Sequence, residues 1–313
     1  MIESLILAIN VIIPLVVFMC IGYFIRLRGI VSDTTLKELN NVVFKVLLST
    51  MVFYNIYTAD LASSFDLKLL IYAIMSLLVM ITVLCIIVPR LIEDKTIAPV
   101  VIQGIYRSNF VLFGLQVTAS ICGSENLGMT TILISVIIPM FNVIAVILFE
   151  TFRSGKADIK KLLKGIAKNP LIIASVLGLI AVFSGAKFGS NVDGVLKTIS
   201  QLATPMSLIV LGGSITVDGI KKYWKTSFIV SAFRLVIVPI IFLSIAIGLG
   251  FRGVGLVSLM VMFGSPTAVS SFPMATSMGG NSEMAGQIVA ITTILSVATI
   301  FLWTYALNLF GYI

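Results

Sequence analysis

From residue 4 to residue 309 the chain is a succession of apolar runs of about 20 residues, the length an α-helix needs to cross a ~30 Å hydrocarbon core. In such a core every backbone N–H and C=O must be paired within the protein, which restricts the runs to helices. Ten runs are legible: 4–25, 39–57, 67–88, 97–121, 127–149, 169–186, 195–216, 226–249, 253–278 and 284–309. No basic stretch precedes the first and no small-residue cleavage pattern follows it, so it reads as a retained span. Charged residues make up 11% of the chain, against about 25% in a soluble domain. The expected fold class is therefore an all-α membrane protein with ten transmembrane helices.

Orientation follows from the lysines and arginines. One alternate set of loops carries Arg26, Arg28, Lys37, Arg90, Lys95, six basic residues within 150–168, and Lys221, Lys222 and Lys225. The opposite set carries only Lys68, Lys187, Lys197 and Arg252. The basic set is cytoplasmic, which puts 150–168 inside and both termini outside a cell membrane. It also accounts for the net charge of +8 without a nucleic-acid partner.

The 150–168 segment divides the chain into two five-span halves, 1–149 and 169–313. An odd number of spans per half makes the halves insert with opposite orientation. A shift of 157 residues lays one half on the other with identities Ser108/Ser265, Ser120/Ser277 and Gly123/Gly280. The shift pairs the fourth run with the ninth, the two least regular ones, and the expectation is two inverted repeats.

The ninth run contains Gly264-Ser265-Pro266-Thr267-Ala268-Val269-Ser270-Ser271-Phe272-Pro273. Each proline removes an amide donor and clashes with the preceding turn, and the freed groups survive at membrane depth only against protein or a watery cavity. Secondary transporters build their substrate sites from such interrupted helices, two of them meeting at the midplane. The expected site joins Arg107, Ser108 and Asn109 of the fourth run to Ser265, Pro266, Thr267, Ser270, Ser271 and Pro273 of the ninth. One cation among neutral hydrogen-bonding groups suits a small carboxylate. An intramembrane arginine is a functional candidate by default; the alternative for Arg107 is a structural charge paired with carbonyls. Lys45 and Arg234 lie closer to a snorkelling pattern.

Several classes are excluded. The chain has no histidine, so no His-based catalysis, metal site or proton relay. Cys20, Cys85 and Cys122 form no CxxC and imply no disulfide framework. No Asp or Glu stands in mid-span, and Ser154-Gly155-Lys156-Ala157 is not a phosphate-binding loop. The expectation is a transporter without cofactor or metal, not an enzyme. Coupling to H+ or Na+ stays open.

The runs Gly264-Ser265-Pro266-Thr267-Ala268-Val269, Gly279-Gly280 and Thr292-Thr293-x-x-Ser296 resemble those of the auxin efflux carrier family. So do Arg107-Ser108-Asn109-Phe110 with Phe113-Gly114, and Lys168-Asn169-Pro170. The resemblance covers nearly the whole chain. It implies two inverted five-helix repeats with crossing broken helices 4 and 9, and a scaffold from the first two spans of each repeat. It also implies an elevator mechanism, often in a homodimer, and organic-anion substrates: malate or malonate in bacteria, auxin in plants. The short cytoplasmic segment is similar to that of bacterial members. Where many relatives have a proline after Phe-x-Gly, this chain has Gln116, which could itself reach the site. A sodium-coupled carrier of the bile-acid-symporter kind is the alternative.

Overall fold

The computed structural model describes residues 2–58, 66–123, 126–154 and 159–313; residues 155–158 of the basic segment fall outside it. The described residues are helical, with one isolated β-bridge between Ser108 and Thr267. In chain order the helices are α1 Ile2–Leu27, α2 Asp33–Tyr57, α3 Leu67–Leu91, α4 Ala98–Tyr106, α5 Phe110–Cys122, α6 Gly128–Ser154 and α7 Ile159–Lys168. Then come α8 Pro170–Phe183, α9 Ser190–Ser214, α10 Asp218–Gly248, α11 Gly253–Gly264, α12 Ser271–Ser277 and α13 Ser282–Leu309. By length and composition α2, α3, α6, α9, α10 and α13 can each cross a membrane. Shorter apolar helices occupy 12–27, 110–122, 170–183 and 253–264.

Polar side chains at the loop ends start these helices by accepting otherwise unpaired first-turn amides. Asp66 accepts from the Leu69 amide at 3.0 Å, Asn169 from Leu171 at 2.9 Å and Asn281 from Met284 at 2.9 Å. Among the described residues two helices contain a π turn: Val43–Leu47 within α2 and Phe233–Ile237 within α10.

The helices pack in two groups that also touch each other, α1 lying against α13 and α5, and Asn40 of α2 bonded to Pro273 and Ser277 of α12. In the first, α1 lies along α9, and α2 packs against α8 and α9. The contact of α1 with α9 is backbone to backbone: a Cβ built on Gly22 would stand 1.9 Å from the Ile209 carbonyl oxygen, and one on Gly212 2.0 Å from that of Met19. Without apolar driving force between helices in lipid, such close approach is a main source of packing. In the second group α10 packs on α13 and α11, α5 on α6 and α11, and α3 on α4. Buried hydroxyls tie α5, α6 and α11, with Thr130 bonded to Thr118 at 3.1 Å and to Ser258 at 2.7 Å.

Candidate functional site

Two pairs of half-helices meet in the second group. Ser265 stands before Pro266, and the proline ring disfavours helical ψ at the preceding residue; Ser265 is extended, with ψ 154°, and α11 stops there. No proline follows Tyr106, yet Arg107 is extended too, with ψ 109°. The two breaks hold each other: the Asn109 amide donates to the Pro266 carbonyl at 2.7 Å, and the Ala268 amide to the Arg107 carbonyl at 3.1 Å. Thr267 secures the crossing, its hydroxyl donating to the Gly104 carbonyl at 2.7 Å and its amide to the Thr292 hydroxyl at 3.2 Å.

Beside this crossing lies a cavity of about 360 Å³, within the size range of small-molecule sites. It opens between the two helix groups. Leu15 and Phe18 of α1, Leu48, Met51, Val52 and Asn55 of α2, Leu171 of α8, and Ser200, Gln201, Thr204, Pro205 and Ser207 of α9 line one wall. Arg107, Ser108, Asn109, Val111, Leu112, Ile138, Phe141, Asn142, Ala268, Val269 and Ser270 line the other.

Arg107 is 4% exposed. Its guanidinium donates to the Asn142 side-chain oxygen at 2.6 Å, the Ser270 hydroxyl at 3.0 Å and the Met274 sulfur. All are neutral, and among the described residues no carboxylate pairs with it. Four cavity-lining residues carry a buried polar atom without a hydrogen-bond partner: Nδ2 of Asn55, Asn109 and Asn142, and Oγ of Ser108. Three of the four are pure donors. The uncapped N-terminus of α5, where Asn109 makes no side-chain cap bond, adds amide groups and the positive end of a helix dipole. The cavity thus presents a cation and hydrogen-bond donors on one wall, and Asn55, Ser200, Gln201, Thr204 and Ser207 among apolar side chains on the other.

Of the ten candidates read from sequence, Arg107, Ser108, Asn109 and Ser270 line the cavity. Ser265, Pro266, Thr267 and Ser271 are buried in or beside the crossing, and the Pro273 carbonyl accepts from Asn40 at 3.3 Å. Gln116 is exposed on α5 and does not reach the cavity: seven residues beyond the half-helix cap, it lies a helical turn and more from the crossing. Sequence reasoning did not name Asn55, Asn142, Ser200 or Thr204, although a lone polar residue in an apolar run is itself a signal.

Arg234 also departs from expectation. It does not snorkel but is 0% exposed. Its Nε donates to the Ser265 carbonyl at 2.8 Å, Nη1 to the Ile105 and Tyr106 carbonyls at 3.0 and 3.4 Å, and Nη2 to the Met262 carbonyl at 2.8 Å. Lys45 is exposed.

A multi-helix membrane protein whose interrupted helices cross beside a cationic cavity is built as a membrane transporter. The sequence matches the model of the membrane transport protein family over residues 7–304, and the chain belongs to that family, the one its motifs point to as the auxin efflux carriers. It is 24% identical over 314 residues to an uncharacterised transporter of Methanocaldococcus jannaschii, covering 95% of this chain and 98% of that one. An uncharacterised transporter of Methanothermobacter thermautotrophicus is 25% identical over 310 residues, 95% and 97% of the two chains. A Rhizobium meliloti protein named "Putative malonate transporter" is 26% identical over 137 residues, 43% of this chain and 42% of that one.

Proposed function

We propose that the chain is a secondary active carrier of small organic anions such as malonate, malate or auxin-like carboxylates. It works in the cell membrane, with both termini outside, as a homodimer. In this reading ten spans form two inverted repeats, 1–149 and 169–313, joined by the cytoplasmic 150–168. The anion sits in the cavity between Arg107 and the unpartnered donors of Asn55, Ser108, Asn109 and Asn142. The second helix group then slides against α1, α2, α8 and α9 to carry the site from one face of the membrane to the other.

The observation that carries this reading is the un-neutralised charge of Arg107 on the cavity wall. A buried charge is costly unless paired, and a substrate carboxylate supplies the pair. The location of the cavity between the helix groups supports the elevator step, and the relative named for malonate supports the substrate class.

The test is uptake of radiolabelled malonate, malate and indole-3-acetate into proteoliposomes. Asn109→Ala removes one donor to a charged ligand and is expected to weaken uptake about ten- to a hundredfold. Pro266→Ala relieves the restriction on Ser265 and is expected to abolish uptake while the protein still inserts and purifies as a folded dimer. Wild-type uptake by both variants rules out the crossing as the site.

A further inference from the structure

The first four N–H groups and last four C=O groups of a helix lack intrahelical partners, and the carbonyl end carries the negative pole of the dipole. A helix interrupted in mid-membrane buries such an end. Among the described residues two half-helices end in this way, at Tyr106 and Gly264, and one side chain reaches both ends. In carriers with discontinuous helices, unwound carbonyls and half-helix C-terminal ends are where a transported cation is coordinated. In this chain the position is filled from within: the Arg234 guanidinium reaches Ile105 and Tyr106 on one half-helix end and Met262 and Ser265 on the other.

Several features make this a built arrangement. Arg234 lies within the π turn Phe233–Ile237, and π turns are frequent at functional sites. Among the described residues no carboxylate pairs with it, so its charge is offset by carbonyl dipoles alone. Its planar fork allows three nitrogens to serve two strands of backbone at once, which an ammonium cannot do. It stands apart from the Arg107 side chain: Arg107 lines the cavity, Arg234 does not.

We propose that Arg234 is a tethered cation. It holds the two half-helix C-terminal ends together in the place where other interrupted-helix carriers hold a transported cation, so that the anion site forms without sodium at these carbonyls. Arg234 is a positioning residue, acting through the Asn109–Pro266 and Ala268–Arg107 backbone bonds. The inference rests on the carrier reading and adds to it how the site is held and that no sodium is drawn on there.

Hydrogen exchange on the purified full-length protein decides it, with malonate uptake as the second arm. In sodium chloride and in N-methylglucamine chloride the wild type is expected to show equal protection of the Asn109 and Ala268 amides and equal malonate uptake. Arg234→Lys keeps the charge but cannot bridge both ends. It is expected to exchange these two amides about tenfold faster or more, while the Asn281 amide, bonded to the Thr96 carbonyl at 2.9 Å, keeps its rate. Arg234→Gln is expected to show the larger loss at the same amides. The proposal is overturned by unchanged exchange in both variants, by equal acceleration at all three amides, or by sodium protecting the crossing or stimulating uptake in the wild type. Absence of malonate uptake in both salts counts against malonate as substrate and leaves the exchange result to decide on Arg234.

Discussion

Arg107→Gln is expected to weaken carboxylate binding by about a hundredfold or more, with the melting temperature unchanged or raised. The opposite signs follow from one fact, a buried guanidinium surrounded by neutral groups: the Asn142 oxygen, the Ser270 hydroxyl and the Met274 sulfur. A charge in that position costs stability when the cavity holds no anion, because desolvation is not repaid by an opposite charge. Removing it relieves the cost. The same removal takes away the partner of the ligand carboxylate, and losing one member of a buried charge pair costs about 2–5 kcal/mol, with each 1.4 kcal/mol worth about a factor of ten. Arg107→Lys keeps the charge but not the fork, and is expected to fall between. Lys45→Gln, at an exposed position in the π turn of α2, is expected to leave affinity within twofold of wild type. Calorimetric titration with malonate, alongside thermal denaturation of each variant, measures both quantities. A folded Gln variant that binds normally removes Arg107 from the substrate site, and one that melts well below the wild type overturns the stability half of the expectation.

What could be read ahead of the structure depended on whether the cause was local. The break after Gly264 was legible because Pro266 acts on its own neighbour Ser265. The break after Tyr106 has no such cause. Arg107 is extended because its carbonyl and the Asn109 amide are claimed by a segment 157 to 161 residues further on, and only the 157-residue sequence shift and the family resemblance pointed to it. Arg234 was misread for the same reason. Its side chain is satisfied by carbonyls 28 to 129 positions away in the chain, and nothing in its apolar neighbours announces them. Gln116 was misplaced because seven residues carry it about two turns, or ~10 Å, along α5 from the crossing, although it stays on the same helical stripe as Asn109. The wall formed by Asn55, Ser200 and Thr204 was missed because single polar residues in apolar runs also serve as packing and interhelical bonds. Only the cavity distinguishes the uses.

The second large effect concerns a position with no polar chemistry at all. Gly212→Leu is expected to prevent accumulation of folded protein, and Gly212→Ala to destabilise it by more than about 3 kcal/mol. A Cβ on Gly212 would meet the Met19 carbonyl oxygen at 2.0 Å and the carbonyl carbon at 2.7 Å. These are backbone atoms of α1, and no rotamer change can move them aside. The same holds in reverse for Gly22, whose Cβ would meet Ile209 backbone at 1.9 Å. Relief requires α1 and α9 to separate along their length, which undoes the contact that makes them one wall of the cavity. Gly194, eighteen residues earlier on α9, is the internal control. Nothing lies within 4 Å of a Cβ there, so Gly194→Ala is expected to stabilise by about 0.5–1 kcal/mol through helix propensity alone. If α1 and α9 belong to the immobile part of an elevator, this pair of glycines sets the fixed surface against which the crossing travels. A cysteine pair linking α1 to α9 near Gly22 and Gly212 should then leave uptake intact, whereas a pair linking α9 to the crossing should arrest it. Equal inhibition by both cross-links would mean that α1 and α9 also move relative to each other, and would favour a rocking transition over a sliding one.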